Sequence, residues 1–225
     1  MILTIALALL FGRWGSAQEN NQPLVSATNP AYLGCSVWTI KGWTSPSTRS
    51  ARTTLIRSVK GFRAYAEVKA VFKDDSCENI TTLYVASSAS QKFKVVYEKL
   101  PSETSGNGIR LVGWSPSGDK LLAQVNLWDH DSDSGYSRLA LIYDTSTDSA
   151  QEIRPLDDAL SHVFGTACEF DIKIAGWRTN QKILVKVSRT PPTDEYEQQF
   201  CVKQARMFVY DLQKGTLQAL RPQSP

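Results

Sequence analysis

The chain has 225 residues, of which 42% are hydrophobic and 21% are charged, so it holds enough apolar material for one or two folded domains and is not compositionally disordered. Its formal net charge is +3, and the 25 lysines and arginines are spread along the chain without a basic block. Nucleic-acid binding is therefore not expected, because neutralising phosphates requires clustered cations.

The first 17 residues are predicted to be a signal peptide. Residues 2–11 form an apolar run that is too short to span a bilayer, and the small residues Gly-Ser-Ala at 15–17 place cleavage before Gln18. The alternative is an uncleaved membrane anchor, because no Lys or Arg precedes the apolar run. No later stretch approaches transmembrane length, so we expect a secreted or periplasmic protein with no membrane contact after cleavage.

Residues 18–34 are rich in Asn, Gln, Pro and Ser and are predicted to form a linker or an edge segment. Residues 35–225 are predicted to form a single β domain, because apolar residues recur at every second position, the period of a strand. This alternation is clearest over residues 64–72, 121–127 and 183–187. No segment shows a helical pattern, so we expect an all-β fold.

An internal repeat divides this domain into four-stranded antiparallel meanders. Two copies share a Gly-Trp pair at the end of their first strand and a Tyr-Asp pair at the end of their third. The predicted strands of these copies are 109–114, 120–125, 141–144 and 151–153, and then 172–177, 182–187, 208–211 and 218–220. A degenerate copy is predicted to precede them, with strands at 53–59, 64–72, 82–86 and 93–98 and with residues 41–43 as the counterpart of the Gly-Trp pair.

The connection between the second and third strands is predicted to be long in every copy, over residues 73–80, 128–137 and 189–203. Loops at one end of a rigid β scaffold commonly carry binding sites. We therefore expect the ligand-binding face at this end of the domain. The candidate ligand-contacting residues in the middle loop are Trp128, His130 and Tyr136.

Four cysteines follow the predicted signal peptide: Cys35, Cys77, Cys168 and Cys201. An even number in an exported chain favours two disulfides, in one of three connectivities. In a four-stranded meander, the start of the first strand and the loop between the second and third strands lie at the same end. This topology favours the pairs Cys35–Cys77 and Cys168–Cys201.

The middle loop also contains Asp129, Asp131 and Asp133, whose spacing fits the first three ligand positions of an oxygen-rich calcium loop. Gly135 comes one position late for such a loop, and the twelfth position is Ala140 rather than an acidic residue. A solvated hairpin loop is therefore the competing interpretation. No other cofactor is expected.

No catalytic residue is predicted. Ser115 lies in a Ser-Pro-Ser-Gly turn rather than in a nucleophile elbow, and His162 has no recognisable partner. The acidic pairs at 157–158 and 194–195 are the remaining candidates for glycosidase-type chemistry. Residues 79–81 match a glycosylation acceptor, Asn-Ile-Thr.

The segment Gly-Trp-Ser-Pro-Ser-Gly-Asp-Lys-Leu-Leu-Ala at 113–123, followed by Leu-Ile-Tyr-Asp at 141–144, resembles the blade repeat of TolB-like, WD40-like β-propellers. The last copy keeps the Gly-Trp pair and the Tyr-Asp strand, but Arg-Thr-Asn-Gln at 178–181 replaces the turn. The resemblance implies an exported scaffold that binds proteins, peptides or glycans, or an accessory domain beside a hydrolase.

Closed propellers are built from four to eight blades, whereas only three units are visible here. We therefore expect an incomplete or open propeller. It would close as a homodimer of three plus three blades, remain an open stack or a sandwich, or be capped by its own terminal segments. The expected function is binding without catalysis, and the alternatives are a small exported hydrolase and a structural protein of the cell envelope.

Overall fold

The computed structural model describes residues 29–36, 38–87, 92–101, 105–129, 136–165, 168, 170–188, 202 and 204–220. The predicted signal peptide lies outside these residues. Within the described chain, no helix is long and apolar enough to cross a membrane.

The regular elements of the described residues are all β-strands except for a single helix. In chain order the elements are β1 Trp38–Thr39, β2 Gly42–Trp43, β3 Arg49–Arg52, β4 Ile56–Arg57, β5 Arg63–Lys73, β6 Ser76–Ala86, β7 Lys94–Lys99, β8 Ser105–Trp114, β9 Lys120–Asp129, β10 Tyr136–Asp144, β11 Ser149–Glu152, α1 Pro155–Phe164, β12 Asp171–Thr179, β13 Lys182–Ser188, β14 Arg206–Asp211 and β15 Thr216–Ala219.

These strands form three large antiparallel sheets. The first sheet has the order β3-β5-β6-β7, with β4 also paired to β5. The second sheet contains β8 to β11 and the third contains β12 to β15, each with neighbouring strands in chain order. The predicted all-β fold of repeated four-stranded antiparallel meanders is therefore confirmed.

The two Gly-Trp pairs occupy equivalent positions in the second and third sheets. Gly113 and Gly176 have φ values of +152° and +155°, a conformation that side chains with a Cβ atom rarely adopt. Each glycine follows a register shift in the pairing of the first strand with the second, which is the mark of a β-bulge. Trp114 and Trp177 then pair with Leu121 and Ile183, so the repeat seen in the sequence is a structural repeat.

The second sheet is the middle layer of the stack, because both of its faces are buried. Leu121, Ala123 and Val125 of β9 belong to the first core, which also contains residues of β5 and β6. Leu122, on the opposite face of β9, belongs to the second core together with residues of the third sheet and the helix. The unbroken apolar run Leu-Leu-Ala in β9 thus follows from burial on two sides.

One helix was not predicted. Pro155 begins α1, Asp157 and Asp158 lie in its first turn, and the apolar side chains of Leu156, Ala159 and Leu160 are buried in the second core. The expectation of a chain without helices is therefore wrong. Three apolar residues at helical spacing are too few to stand out, and packing on the sheet stabilises this helix.

The degenerate copy also differs from its prediction. The predicted strand 53–59 is replaced by two short strands, β3 and β4, and a tight turn follows in which Gly61 N–H donates to the Ser58 carbonyl. Gly42 and Trp43 pair with β1 in a separate hairpin, and Trp43 is 70% exposed. Residues 41–43 are therefore not the counterpart of the Gly-Trp pairs.

The predicted long loop at 73–80 is also wrong. Asp74 and Asp75 form a two-residue turn with φ values of 50° and 59°, and β6 begins directly after it. Aspartate tolerates this left-handed conformation, which fits the twist of a hairpin. The polar residues that suggested a loop alternate along β6 instead, and Asn79 is fully buried on its inner face.

Residues 29–36, which we call the strap, cross the inner edge of the second sheet. The Pro30 carbonyl accepts from Ile109 N–H at 2.9 Å, and the Ala31 carbonyl accepts from Asn126 Nδ2 at 3.0 Å. Leu33 is 1% exposed and belongs to the first core. The strap therefore covers an edge strand that would otherwise present unpaired backbone groups.

Candidate functional site

A disulfide fixes the strap to the end of the first sheet. Cys35 and Cys77 are bonded, with their Cα atoms 5.8 Å apart, so this predicted pair is confirmed. Cys168 is also disulfide-bonded. Its predicted partner, Cys201, lies outside the described residues.

A shallow pocket of about 290 Å³ lies beside this disulfide, at the end of the stack where the binding face is predicted. It is lined by Gly34, Cys35, Ser36, Pro46, Phe72, Asp75, Cys77 and Trp128. The indole of Trp128 crosses over Gly106, where any Cβ atom would collide with the ring, and its ring centroid lies 5.8 Å from that of Tyr32. Trp128 therefore lies at the predicted binding end.

The other candidates of the middle loop are not placed by the structure. His130, Asp131 and Asp133 lie outside the described residues, and Asp129 and Tyr136 are described only as backbone at the ends of β9 and β10. Among the residues that are described, no group of three or more His, Cys, Asp or Glu side chains is arranged to hold a metal ion. The calcium loop remains a prediction.

Two arginines of the second sheet reach the free edge of β12. Arg110 Nη2 donates to Gln124 Oε1 at 2.9 Å and to the Ile174 carbonyl at 2.7 Å. Arg138 Nη1 donates to the Ile172 carbonyl at 2.8 Å and forms an ion pair with Asp171. These side chains supply the backbone of β12 with the partners that a neighbouring strand would give.

The surroundings of the two arginines shift their pKa values in opposite directions. Burial lowers the pKa of Arg110, and the nearby charge of Arg138 lowers it further. Burial also lowers the pKa of Arg138, but the charge of Asp171 and the hydrogen bonds to Asp171 and Tyr32 raise it above its usual range. Both guanidinium groups stay protonated near neutral pH, so two positive charges share one carboxylate.

The outer face of the first sheet carries an aromatic cluster that the sequence interpretation missed. The rings of Tyr65 and Tyr84 stack with centroids 4.8 Å apart, and Phe93 meets Tyr65 edge-on at 4.8 Å. The guanidinium of Arg52 lies 4.4 Å from the Tyr65 centroid, and that of Arg63 lies 5.1 Å from the Phe93 centroid. We call these five residues the aromatic face.

The signal for the aromatic face was present but incomplete. Tyr65, Glu67 and Lys69 alternate with buried alanines and valines along β5, which marks them as outward-facing. That Tyr65 lies opposite Tyr84 depends on the register of β5 with β6. The tight turn at Asp74 and Asp75 sets this register, and it was predicted to be a loop.

The candidates for hydrolytic chemistry are dispersed. Ser115 is 3% exposed and lies in the turn between β8 and β9, where its hydroxyl donates to Asp119 at 2.9 Å. His162 is exposed on α1. The acidic pair at 194–195 lies outside the described residues. Asn79 Nδ2 donates to the Leu33 carbonyl at 2.6 Å in the interior, so the folded chain does not present this residue for glycosylation.

Asp157 is the one carboxyl group among the described residues with a strongly raised pKa. Desolvation by burial, and next the charge of Asp158, raise its pKa to about 6. These effects outweigh the favourable position of a carboxylate in the first turn of a helix. The residues lining the described pocket do not include Asp157 or Asp158.

This shift predicts a pH-dependent effect of Asp157→Asn. Because the folded pKa is raised above that of the unfolded chain, ionisation of Asp157 costs stability as the pH rises from about 4 through 6. We expect the variant to be more stable than the wild type at pH 7.5 by about 1 kcal/mol, a value reduced for partial solvent screening. Below pH 4 the two proteins should unfold alike in urea, and a constant difference across the pH range would contradict the assignment.

No protein-family model matches the chain, and no curated protein matches it.

Proposed function

We propose that the chain is an exported binding module that engages a protein partner with an acidic surface through the aromatic face. One observation carries the proposal: stacked aromatic rings, with two guanidinium groups laid against them, lie on a solvent-exposed face of the outermost sheet. The likeness of residues 113–123 to the blade of TolB-like, WD40-like scaffolds supports a binding role.

The chemistry of the aromatic face is that of an interface. Tyrosine and arginine are enriched among the residues that carry most of the binding energy of protein interfaces, and a tyrosine ring buries much area at little entropic cost. The face is open to solvent, since the side chain of Arg52 is 59% exposed and neighbouring Val95 is 53% exposed. These groups are therefore available to a partner.

The positions of the positive charges on this face favour an acidic partner. As their pairing in register places them, the cations Arg52, Arg57, Arg63 and Lys69 lie on the same side of the sheet as the carboxylates Glu67, Glu78 and Glu98. Arg52 donates to Glu67 at 3.4 Å, and the guanidinium groups of both Arg52 and Arg63 lie against the aromatic rings, so positive charge directly adjoins the aromatic cluster. Positive charge at this position accelerates and orients association with a negatively charged surface.

Export is supported by the Cys35–Cys77 bridge. Structural disulfides persist in oxidising compartments and are rare in the cytosol. The apolar run at residues 2–11 and the small residues that follow it agree with this compartment.

The test uses a glutamate-rich peptide with interspersed phenylalanines as a substitute for an acidic protein surface. We expect isothermal titration to detect saturable binding that weakens with added salt, because the contacts are charged. The double variant Arg52→Gln/Arg63→Gln should bind at least tenfold more weakly. Arg206→Gln, on an exposed position of the third sheet, is the matched control and should bind like the wild type.

An anionic polysaccharide, polygalacturonate, serves as the second probe. If it binds through Arg52 and Arg63 while the peptide does not, the partner is a glycan and the proposal of a protein partner is wrong. Equal peptide binding by the double variant would place the interaction elsewhere on the molecule.

A hydrolase is the second candidate, and the raised pKa of Asp157 is the observation that favours it. It predicts release of reducing sugar from glycan substrates with an acid limb near pH 6 that Asp157→Asn abolishes. An activity that is the same in this variant would exclude Asp157 as the acid.

A further inference from the structure

The junction of the second and third sheets holds a pair of cationic side chains with unused hydrogen-bond donors. Arg138 Nε is buried and has no hydrogen-bond partner. Among the described residues, none accepts from Nε or Nη1 of Arg110, whose two hydrogen bonds are both made by Nη2. A buried donor without a partner is costly, so the buried Nε–H of Arg138, beside the remaining donors of Arg110, is prepared for an acceptor.

The arrangement of the two arginines sets the separation of these donors. Arg110 and Arg138 bond the carbonyls of Ile174 and Ile172, which are two residues apart on one strand edge. Two residues of a strand span roughly 7 Å. Two guanidinium groups held at about this spacing can both donate to one small anion between them, because each presents a planar array of N–H groups.

The two guanidinium groups at the junction face a single carboxylate among the described residues, so an added anion would balance their charge. Asp171 pairs with Arg138, whereas the acceptors of Arg110 among the described residues are the neutral oxygens of Gln124 and Ile174. Arg138 is 19% exposed in its side chain, so water screens it poorly. A guanidinium in such a setting is stabilised by a carboxylate or phosphate oxygen far more than by a neutral acceptor.

The surroundings indicate what the anion is attached to. Arg138 hydrogen bonds Tyr32 of the strap, and the ring of Tyr32 lies against that of Trp128. The rings of Tyr32 and Trp128 lie between the arginines and the end of the sheets where β9 ends and β10 begins. An apolar or aromatic body extending from the anionic group would pack against them.

We propose that Arg110 and Arg138 form a binding site for the oxyanion of a small ligand, a carboxylate or a phosphate carried on an aromatic or apolar body. The site is separate from the aromatic face, which lies on the outer side of the first sheet. The proposal therefore does not depend on the proposed function.

The test titrates the full mature chain with benzoate and with phenyl phosphate, at constant ionic strength, and uses uncharged benzamide as the neutral control. We expect saturable binding of at least one anion, a shift of the Arg138 Nε–H signal in NMR spectra, and no binding of benzamide. Binding of benzoate alone or of phenyl phosphate alone identifies the ligand as a carboxylate or a phosphate.

Arg110→Gln should weaken anion binding at least tenfold, whereas the exposed control Arg206→Gln should leave it unchanged. If Arg110→Gln does not fold, Arg110→Lys keeps the charge but loses the fork of donors, and it should still bind several times more weakly. The proposal is overturned if neither anion saturates the wild type, if benzamide binds equally well, or if the Arg138 Nε–H signal does not respond.

Discussion

Replacing both cysteines of the Cys35–Cys77 bridge with alanine is expected to lower the free energy of unfolding by about 4 kcal/mol. The bridge joins residues separated by 42 positions, and a loop of this length is worth that amount on the chain-entropy model. Chemical denaturation monitored by tryptophan fluorescence measures the loss. A shift of the midpoint without a change in slope would show that the folded state retains its compactness.

The effect should be large because the bridge also holds the strap in place. The strap contributes the carbonyls of Pro30, Ala31 and Leu33 to hydrogen bonds with the first and second sheets. When it detaches, the side chain of Asn79 loses its acceptor in the interior, and the inner edge of the second sheet loses its cover.

The double alanine variant is preferable to chemical reduction, because a reductant would also break the disulfide of Cys168. Glu78→Ala is the matched control, since Glu78 neighbours Cys77 but points outward from the sheet. We expect this control to change stability by no more than about 0.5 kcal/mol. A cysteine variant as stable as the control would show that the bridge does not secure the fold.

Leu33→Ala is expected to destabilise the protein by about 3 kcal/mol. Leu33 is fully enclosed in the first core, and truncating a buried leucine removes apolar contacts and leaves a cavity. Thermal unfolding followed by circular dichroism, combined with urea titration, measures the change.

Ile40→Ala provides the comparison, because Ile40 is entirely exposed in the hairpin between β1 and β2 and should tolerate truncation. If Leu33→Ala were equally harmless, the strap would be an unpacked linker. The coverage of the second sheet described above would then be wrong.

Much of the fold was predictable because its signals are local. The inward positions of β5 are apolar and its outward positions are mostly polar, which is the period of a strand with one buried face. The repeated Gly-Trp pairs indicate two equivalent bulges, because only glycine adopts the backbone angles of Gly113 and Gly176 without strain. The pairing of Cys35 with Cys77 followed from the topology of a meander.

The remaining features depend on contacts between distant residues. The helix α1 is stabilised by its packing on the third sheet, and its short apolar stripe is not a signal in isolation. The polar residues after Asp75 resembled a loop, because the burial of Asn79 depends on an acceptor 46 positions away. Arg110 and Arg138 of the second sheet bond β12 of the third sheet, and no local sequence pattern predicts this contact between two sheets.

Hydroxyl-radical footprinting with the glutamate-rich peptide shows whether the aromatic face is the surface that binds a partner. We predict that oxidation of Tyr65, Tyr84 and Phe93 falls when the peptide is bound, while that of Trp128 at the strap end is unchanged. Protection of Trp128 together with undiminished oxidation of the three aromatic-face residues would contradict the account.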